Sequence, residues 1–219
     1  MSRELRAVIF DLDGTLADTL TDIAAAASAT LGELGVGPYE LEQYRAWIGG
    51  GARRLMEQAL PADQQHRLDE VDARFRQHYA ANLVVATAPY AGIPAVLDAL
   101  AERFTLAVLS NKPHAMTTEI VARVFGAWDF ADVVGKQDGV PAKPDPTSVL
   151  AMAARLGVDP SMCAYVGDTD IDVQTATAAG MLSVGVSWGF RDADSLVAAG
   201  ALRLAASPED LLRCLIGDA

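Results

Sequence analysis

A chain of 219 residues, 51% hydrophobic and 21% charged, is long enough for one sizeable core with an insertion and short of two full domains. Seventeen Lys and Arg against 29 Asp and Glu leave a formal charge of −12, which excludes a broad basic surface for nucleic acid, and no apolar run is long enough to cross a bilayer. An acidic protein that binds an anion needs a local positive focus, either a metal or a few placed cations and N–H groups, so a small-molecule partner is expected.

The first residues, Met1 to Arg6, run straight into an apolar stretch that ends at Asp11, unlike a signal peptide with its small-residue cleavage site. Cys163 and Cys214 lie far apart without metal-ligand spacing and read as reduced thiols, so a cytoplasmic protein is expected. Monomer and homodimer stay equally open. The apolar run 5–10 reads as a first strand. From about residue 19 to 84 helical patterns follow one another, broken at Gly35 to Pro38, at Gly49-Gly50-Gly51 and at Pro61. Beyond residue 91, short apolar runs at 106–109, 133–134, 163–166, 182–186 and, weakly, 202–204 alternate with amphipathic segments at 92–103, 114–125, 146–157, 172–180 and 208–216. That rhythm predicts an α/β core with a parallel sheet covered by helices on both faces. Residues 1–18 and 85–219 form this core, and 19–84 form a helical cap inserted over the carboxyl end of the first strand, where open α/β sheets bind ligands.

Chemistry collects at the strand ends. Asp11-Leu12-Asp13-Gly14-Thr15 follows Ala7 to Phe10 directly, and where alternation lapses the two carboxylates can share a side while Gly14 permits a tight turn. A calcium loop needs more oxygen ligands than Thr15-Leu16-Ala17 supplies. A second apolar run ends in Gly167-Asp168-Thr169-Asp170-Ile171-Asp172. Several carboxylates at neighbouring strand ends require neutralisation, and oxygen-only ligands without His or Cys favour magnesium over zinc. Asp170 reads more simply as part of a helix cap. Ser110-Asn111-Lys112 and Lys143-Pro144-Asp145-Pro146 add a hydroxyl, backbone amides and an ammonium group suited to phosphoryl oxygens, and Lys143 can balance the carboxylates.

Four such strand ends in this order resemble the haloacid dehalogenase superfamily of phosphohydrolases. The resemblance implies a Rossmann-like core, Asp11 as nucleophile through an aspartyl-phosphate, and Asp13 as general acid and then base. It further implies magnesium held by Asp11, Asp168 and the backbone carbonyl of Asp13, with Asp172 supporting the metal. By the same carry-over Ser110 and Asn111 bind phosphate beside the Gly14-Thr15 turn, and Lys143 stabilises the nucleophile and the phosphoryl group.

Within the superfamily the helical insertion is similar to the small caps of the branch holding phosphoglycolate phosphatases and β-phosphoglucomutases. The stretches Asp11 to Asp22, Trp47 to Ala52, Ser110 to Pro113 and Ala178 to Met181 resemble the phosphatases most. Mutases carry a His just after the first motif; here that stretch is Ala17-Asp18-Thr19-Leu20-Thr21, which argues for hydrolysis. The expected substrate is 2-phosphoglycolate or a similar small phosphorylated metabolite. A broader sugar-phosphate or nucleotide phosphatase, a pyrophosphatase, a mutase and a non-catalytic sensor are the alternatives, in that order. A substrate carboxylate calls for cap cations or N–H groups, and Arg45, Gly49 to Gly51, Arg53 and Arg54 are the candidates. His66, His78 and His114 fall on helical patterns away from the carboxylates and enter no mechanism.

Overall fold

The computed structural model describes residues 4–217. Its first strand, β1 (Ala7–Phe10), is wholly buried. Val8 and Phe10 pack into the larger apolar cluster, while Ala7 and Ile9 pack into a smaller one on the opposite face of the sheet. Burial on both faces is why this strand reads as a continuous apolar run, and each large side chain so buried contributes about 1.5–3 kcal/mol.

The chain then makes a two-residue strand, β2 (Ala17–Asp18), and enters the helices α1 (Leu20–Gly32), α2 (Leu41–Trp47), α3 (Ala52–Ala59) and α4 (Leu68–Ala81), with a 3-10 turn at Ala62–Arg67. It returns through β3 (Ala88–Pro89), which pairs antiparallel with β2. In this helical layer α4 packs on both α1 and α3. Tyr39, Tyr44 and Trp47 meet edge to face at centroid distances of 5.0–6.1 Å, an arrangement the ring quadrupoles favour.

The remainder alternates: α5 (Ile93–Ala101), β4 (Thr105–Pro113), α6 (His114–Val124), β5 (Asp132–Lys136), α7 (Thr147–Leu156), β6 (Cys163–Gly167), α8 (Asp170–Ala179), β7 (Leu182–Val186), α9 (Ala193–Ala198), β8 (Arg203–Ala205) and α10 (Pro208–Ile216). Six strands form a parallel sheet in the order β5-β4-β1-β6-β7-β8. β1 is thus central, with β4 and β6 on either side, so residues following these three strands open on one crevice. The α/β core with a parallel sheet and flanking helices is as the sequence predicts. No helix among the described residues is long and apolar enough to cross a membrane.

The structure adds elements that periodicity does not reveal. The β2–β3 ribbon is too short to carry a pattern, and α9 is a six-residue helix started by Asp192, whose carboxylate accepts the Ser195 N–H at 2.8 Å. β4 is longer than the expected 106–109: its pairing with β5 shifts register between Leu109 and Pro113, and the extension carries Ser110, Asn111 and Lys112.

Candidate active site

Asp11 follows β1 directly, and its N–H donates to the carbonyl of Val166 in β6, which places its side chain between the two neighbouring strand ends. Lys143 approaches from the loop before α7. Its Nζ lies 3.1 Å from Asp11 Oδ1 and donates to Asp172 Oδ1 at 2.7 Å and to the Tyr165 hydroxyl at 2.9 Å. Asn111 fixes the lysine: its Oδ1 accepts the Lys143 N–H at 2.9 Å and its Nδ2 donates to the Lys143 carbonyl at 3.1 Å. Ser110 is buried beside it, its hydroxyl accepting the Lys112 N–H at 3.3 Å.

Asp13 turns the other way, its Oδ1 lying 2.9 Å from Lys112 Nζ. Gly14 has φ +81°, and a Cβ there would lie 2.2 Å from Asp168 Oδ2, so this turn requires glycine on both counts. Thr15 donates its hydroxyl to Asp168 Oδ1 at 2.9 Å, and Phe190 N–H donates to Asp168 Oδ2 at 2.8 Å. Thr15 and Phe190 therefore brace Asp168. Asp172 lies in the first turn of α8, with Oδ2 accepting from both the N–H and the hydroxyl of Thr169 at 3.0 and 2.6 Å.

The electrostatics are those of a site awaiting positive charge. Burial, relieved in part by Lys143 and reinforced by Asp172 and Asp13, pushes the Asp11 carboxyl up to about 7. Burial and the negative charges of Asp172 and Asp11 push Asp168 well above the ordinary carboxylate range. Lys143 moves the opposite way: burial works against its charge, but Asp11 and Asp172 outweigh that and hold it firmly protonated.

Among the described residues, Asp11, Asp13, Asp168 and Asp172 pair with just two ammonium groups, those of Lys112 and Lys143. Two negative charges remain unbalanced. Asp11, Asp168 and Asp172 are buried and can each offer an oxygen within 4.8 Å of the others, a donor set without nitrogen or sulfur. These residues fit a hard divalent cation. Both Asp172 oxygens are engaged by Lys143 and Thr169, both Asp168 oxygens by Thr15 and Phe190, and Asp13 Oδ1 by Lys112, so the carboxylate with the most free acceptor capacity is that of Asp11.

Asp11 and Asp13 open on a pocket of about 40 Å³, lined also by Ser110, Asn111, Lys112 and the backbone of Gly49 and Gly51, and closed above by Ile23, Leu55, Phe75 and Tyr79 of the helical layer. Gly50, Arg53 and Arg54 lie instead on a wider cleft of about 850 Å³ on the outer side of the glycine turn, which Asn111 and Lys143 also border. Arg53 pairs there with Asp69, and Arg54 packs over Gly50. Arg45 reaches neither the pocket nor the cleft. Its Nη1 donates to the Gly189 carbonyl at 2.9 Å, while Arg191 donates back to the carbonyls of Arg45, Ala46 and Ile48 at 3.2, 3.1 and 2.9 Å. Arginine fits this task because its planar fork can reach several exposed carbonyls at a helix end. His66 and His78 lie on the exposed outer face of the helical layer, and His114 Nδ1 accepts the Gly135 N–H beside β5.

Four residues that matter here escape a sequence reading. Tyr79 and Lys112 meet across 33 residues, and Gly189 meets Arg45 across 144. Asp22 makes the third such contact, accepting from the N–H groups of Val85, Ala86 and Thr87 where the chain returns from the helical layer. The Ser110-Asn111-Lys112-Pro113 run was the available signal for Lys112; the others carry none.

Residues 8–186 match the family described as haloacid dehalogenase-like hydrolase. The chain is 37% identical over 214 residues to a phosphoglycolate phosphatase of Aquifex aeolicus, covering 96% of this chain and 97% of the relative. It is also 37% identical over 192 residues to one of Cereibacter sphaeroides, covering 85% and 87%. A crystal structure from Lactobacillus delbrueckii, of a protein assigned only provisionally as a phosphoglycolate phosphatase, superposes with a TM-score of 0.89 at 28% identity and covers 99% of this chain and all of that one. The chain belongs to the haloacid dehalogenase-like hydrolases and is, within them, a phosphoric monoester hydrolase.

Proposed function

We propose that this enzyme hydrolyses 2-phosphoglycolate, with residues 19–84 acting as a cap over a core of residues 1–18 and 85–219. The observation that carries the reading is the pairing of Asp11 and Asp13 in a pocket of only about 40 Å³, where the two carboxylates hold different cations and can take different roles. One water needs about 10–15 Å³ of such space, so a sugar or nucleoside ester would have to displace the helices above.

Asp11 attacks phosphorus as the leaving oxygen takes a proton from Asp13, giving an aspartyl-phosphate and free glycolate. Asp13, now ionised, removes a proton from the water that attacks this intermediate, releasing inorganic phosphate and restoring the Asp11 carboxylate. Lys143 holds the nucleophile in place and offsets charge on the phosphoryl oxygens, and Ser110 with Asn111 binds those oxygens. Magnesium is the fitting cation: Asp11, Asp168 and the carbonyl of Asp13 would hold it, Asp172 would support it, and it would supply a Lewis acid for the phosphoryl group.

The test is phosphate release from 2-phosphoglycolate, glucose 1-phosphate, nucleoside monophosphates and pyrophosphate, each with magnesium and with chelator. A magnesium-dependent preference for 2-phosphoglycolate is expected. Equal rates across the panel would leave a general phosphatase and discard the substrate.

A further inference from the structure

We propose that Lys112, together with the hydroxyl of Tyr79, binds the carboxylate of the substrate and so restricts the site to phosphate esters of 2-hydroxy acids. The inference rests on the phosphatase reading above and names the residues that would give it specificity. Among the described residues lining the pocket that Asp11 and Asp13 share, Lys112 is the one cation. The arginines that the sequence offered for this task lie elsewhere: Arg45 pairs with Gly189 and Glu42, Arg53 pairs with Asp69, and Arg54 borders the outer cleft rather than this pocket.

Lys112 sits at the end of β4 and is 5% exposed. Its ammonium lies 2.9 Å from Asp13 Oδ1, donates to the Tyr79 hydroxyl at 2.8 Å, and stands 4.3 Å from the centre of the Tyr79 ring. An ammonium has three N–H donors, so one remains for a ligand. Its buried ammonium is held between the Asp13 carboxylate and the Tyr79 ring and hydroxyl, partners of complementary charge. Burial pushes the Tyr79 hydroxyl up to about 12, so it keeps its proton and can donate while accepting from Lys112.

The position of this pair sets the substrate class. Asp13 serves the ester oxygen, so a cation one hydrogen bond from Asp13 meets whatever the first carbon of the leaving group carries. In a 2-hydroxy acid that carbon bears the carboxylate; in a 3-phosphoglycerate the carboxylate is one carbon farther away, and in a simple alkyl phosphate it is missing. The surrounding Ile23, Leu55 and Phe75 exclude water and strengthen the attraction. A ligand without the carboxylate leaves buried donors unpaired, which a site of this kind penalises more than a mere loss of fit.

The experiment compares inhibition of the magnesium-loaded enzyme by 3-phosphonopropionate, an uncleavable match for phosphoglycolate, and by propylphosphonate, its counterpart without the carboxylate. For the unaltered enzyme the carboxylated inhibitor should bind about 10- to 100-fold more tightly, the range for hydrogen bonds to a charged group. Lys112→Met should bring that ratio close to one. Because Lys112→Met leaves Asp13 without its partner and can impair folding, Tyr79→Phe serves as the second variant; it keeps the ion pair and should lower the ratio several-fold. A ratio near one in the unaltered enzyme would overturn both this proposal and the phosphoglycolate reading. A high ratio that persists in the variants would overturn the role of Lys112 and Tyr79 alone.

Discussion

Asp22 offers a direct test of how the helical layer is tied to the core. It lies in the first turn of α1 and is 5% exposed. Its carboxylate accepts from Val85 N–H at 3.0 Å, Ala86 N–H at 2.9 Å, Thr87 N–H at 2.8 Å and the Thr87 hydroxyl at 2.7 Å. These donors lie just before β3, so one side chain pins the outgoing and returning connections together. Asp22→Ala would leave three backbone N–H groups without their acceptor, at about 1–3 kcal/mol each if no water replaced it. Two of the three are only partly buried, so the expected loss is about 3–5 kcal/mol, a large share of an ordinary domain's stability. Burial opposes ionisation of Asp22, yet the hydrogen bonds from Thr87, Ala86 and Val85 outweigh it and hold its pKa below the usual value. With the folded pKa depressed, the stabilisation is fully present above the unfolded value of about 3.9 and is lost as pH falls through the folded one. Urea unfolding of the wild type and Asp22→Asn should therefore show a constant gap from pH 5 to 8 that narrows below pH 4. A loss under about 1 kcal/mol for Asp22→Ala at pH 7 would refute the pin, since even one unpaired buried donor is expected to exceed it.

Other consequences concern the site itself. Asp11→Asn should abolish phosphate release, yet raise the melting temperature of the metal-free protein at pH 8 relative to pH 6. The folded Asp11 pKa of about 7 lies above the unfolded one, so its ionisation costs stability as pH rises through 7; parallel pH curves for variant and wild type would contradict this. For the same reason magnesium binding near pH 7 should release protons, which calorimetry in buffers of different ionisation enthalpy would count; no release would mean the carboxylates were already ionised. Arg191→Met removes the hydrogen bonds to the carbonyls of Arg45, Ala46 and Ile48 and should cost roughly 1–3 kcal/mol, seen as faster amide exchange in residues 48–51. Unchanged exchange there would show that the clasp does not hold the layer down.

Much of the site was legible because a parallel sheet places chemistry where each apolar run stops. Asp11 and Asp168 stand directly after Phe10 and Gly167, the last residues of β1 and β6, so local order in the sequence predicts neighbourhood in space. That logic fails for partners that meet across the layer boundary. Arg45 looked like a substrate ligand because a cation in the helical insertion has no local partner to absorb it, but its acceptor is a carbonyl of the loop after β7. Thr15 looked like part of a phosphate turn because Gly14 precedes it, whereas its hydroxyl braces Asp168 from 153 residues away. Neither contact has a period, a spacing or a composition that sequence could express.

The loop after β7 shows why these illegible contacts matter together. Trp188 donates its indole N–H to the Thr15 carbonyl at 3.1 Å, the Gly189 carbonyl accepts from Arg45, Phe190 N–H donates to Asp168, and Arg191 holds the end of α2. A Cβ on Gly189 would lie 2.3 Å from both the Gly14 carbonyl oxygen and Asp168 Oδ2, so the loop is set as close to the first motif as backbone allows. Four consecutive residues thus touch the nucleophile turn, a buried carboxylate of the proposed metal site and the helical layer. Hydrogen bonds that share a low-dielectric site reinforce one another, so neutralising Asp168 and docking the layer strain or relieve the same short stretch of backbone. Through this loop the helical layer and the carboxylate cluster share one short stretch of backbone, although no residue of the helical layer is itself among the clustered carboxylates.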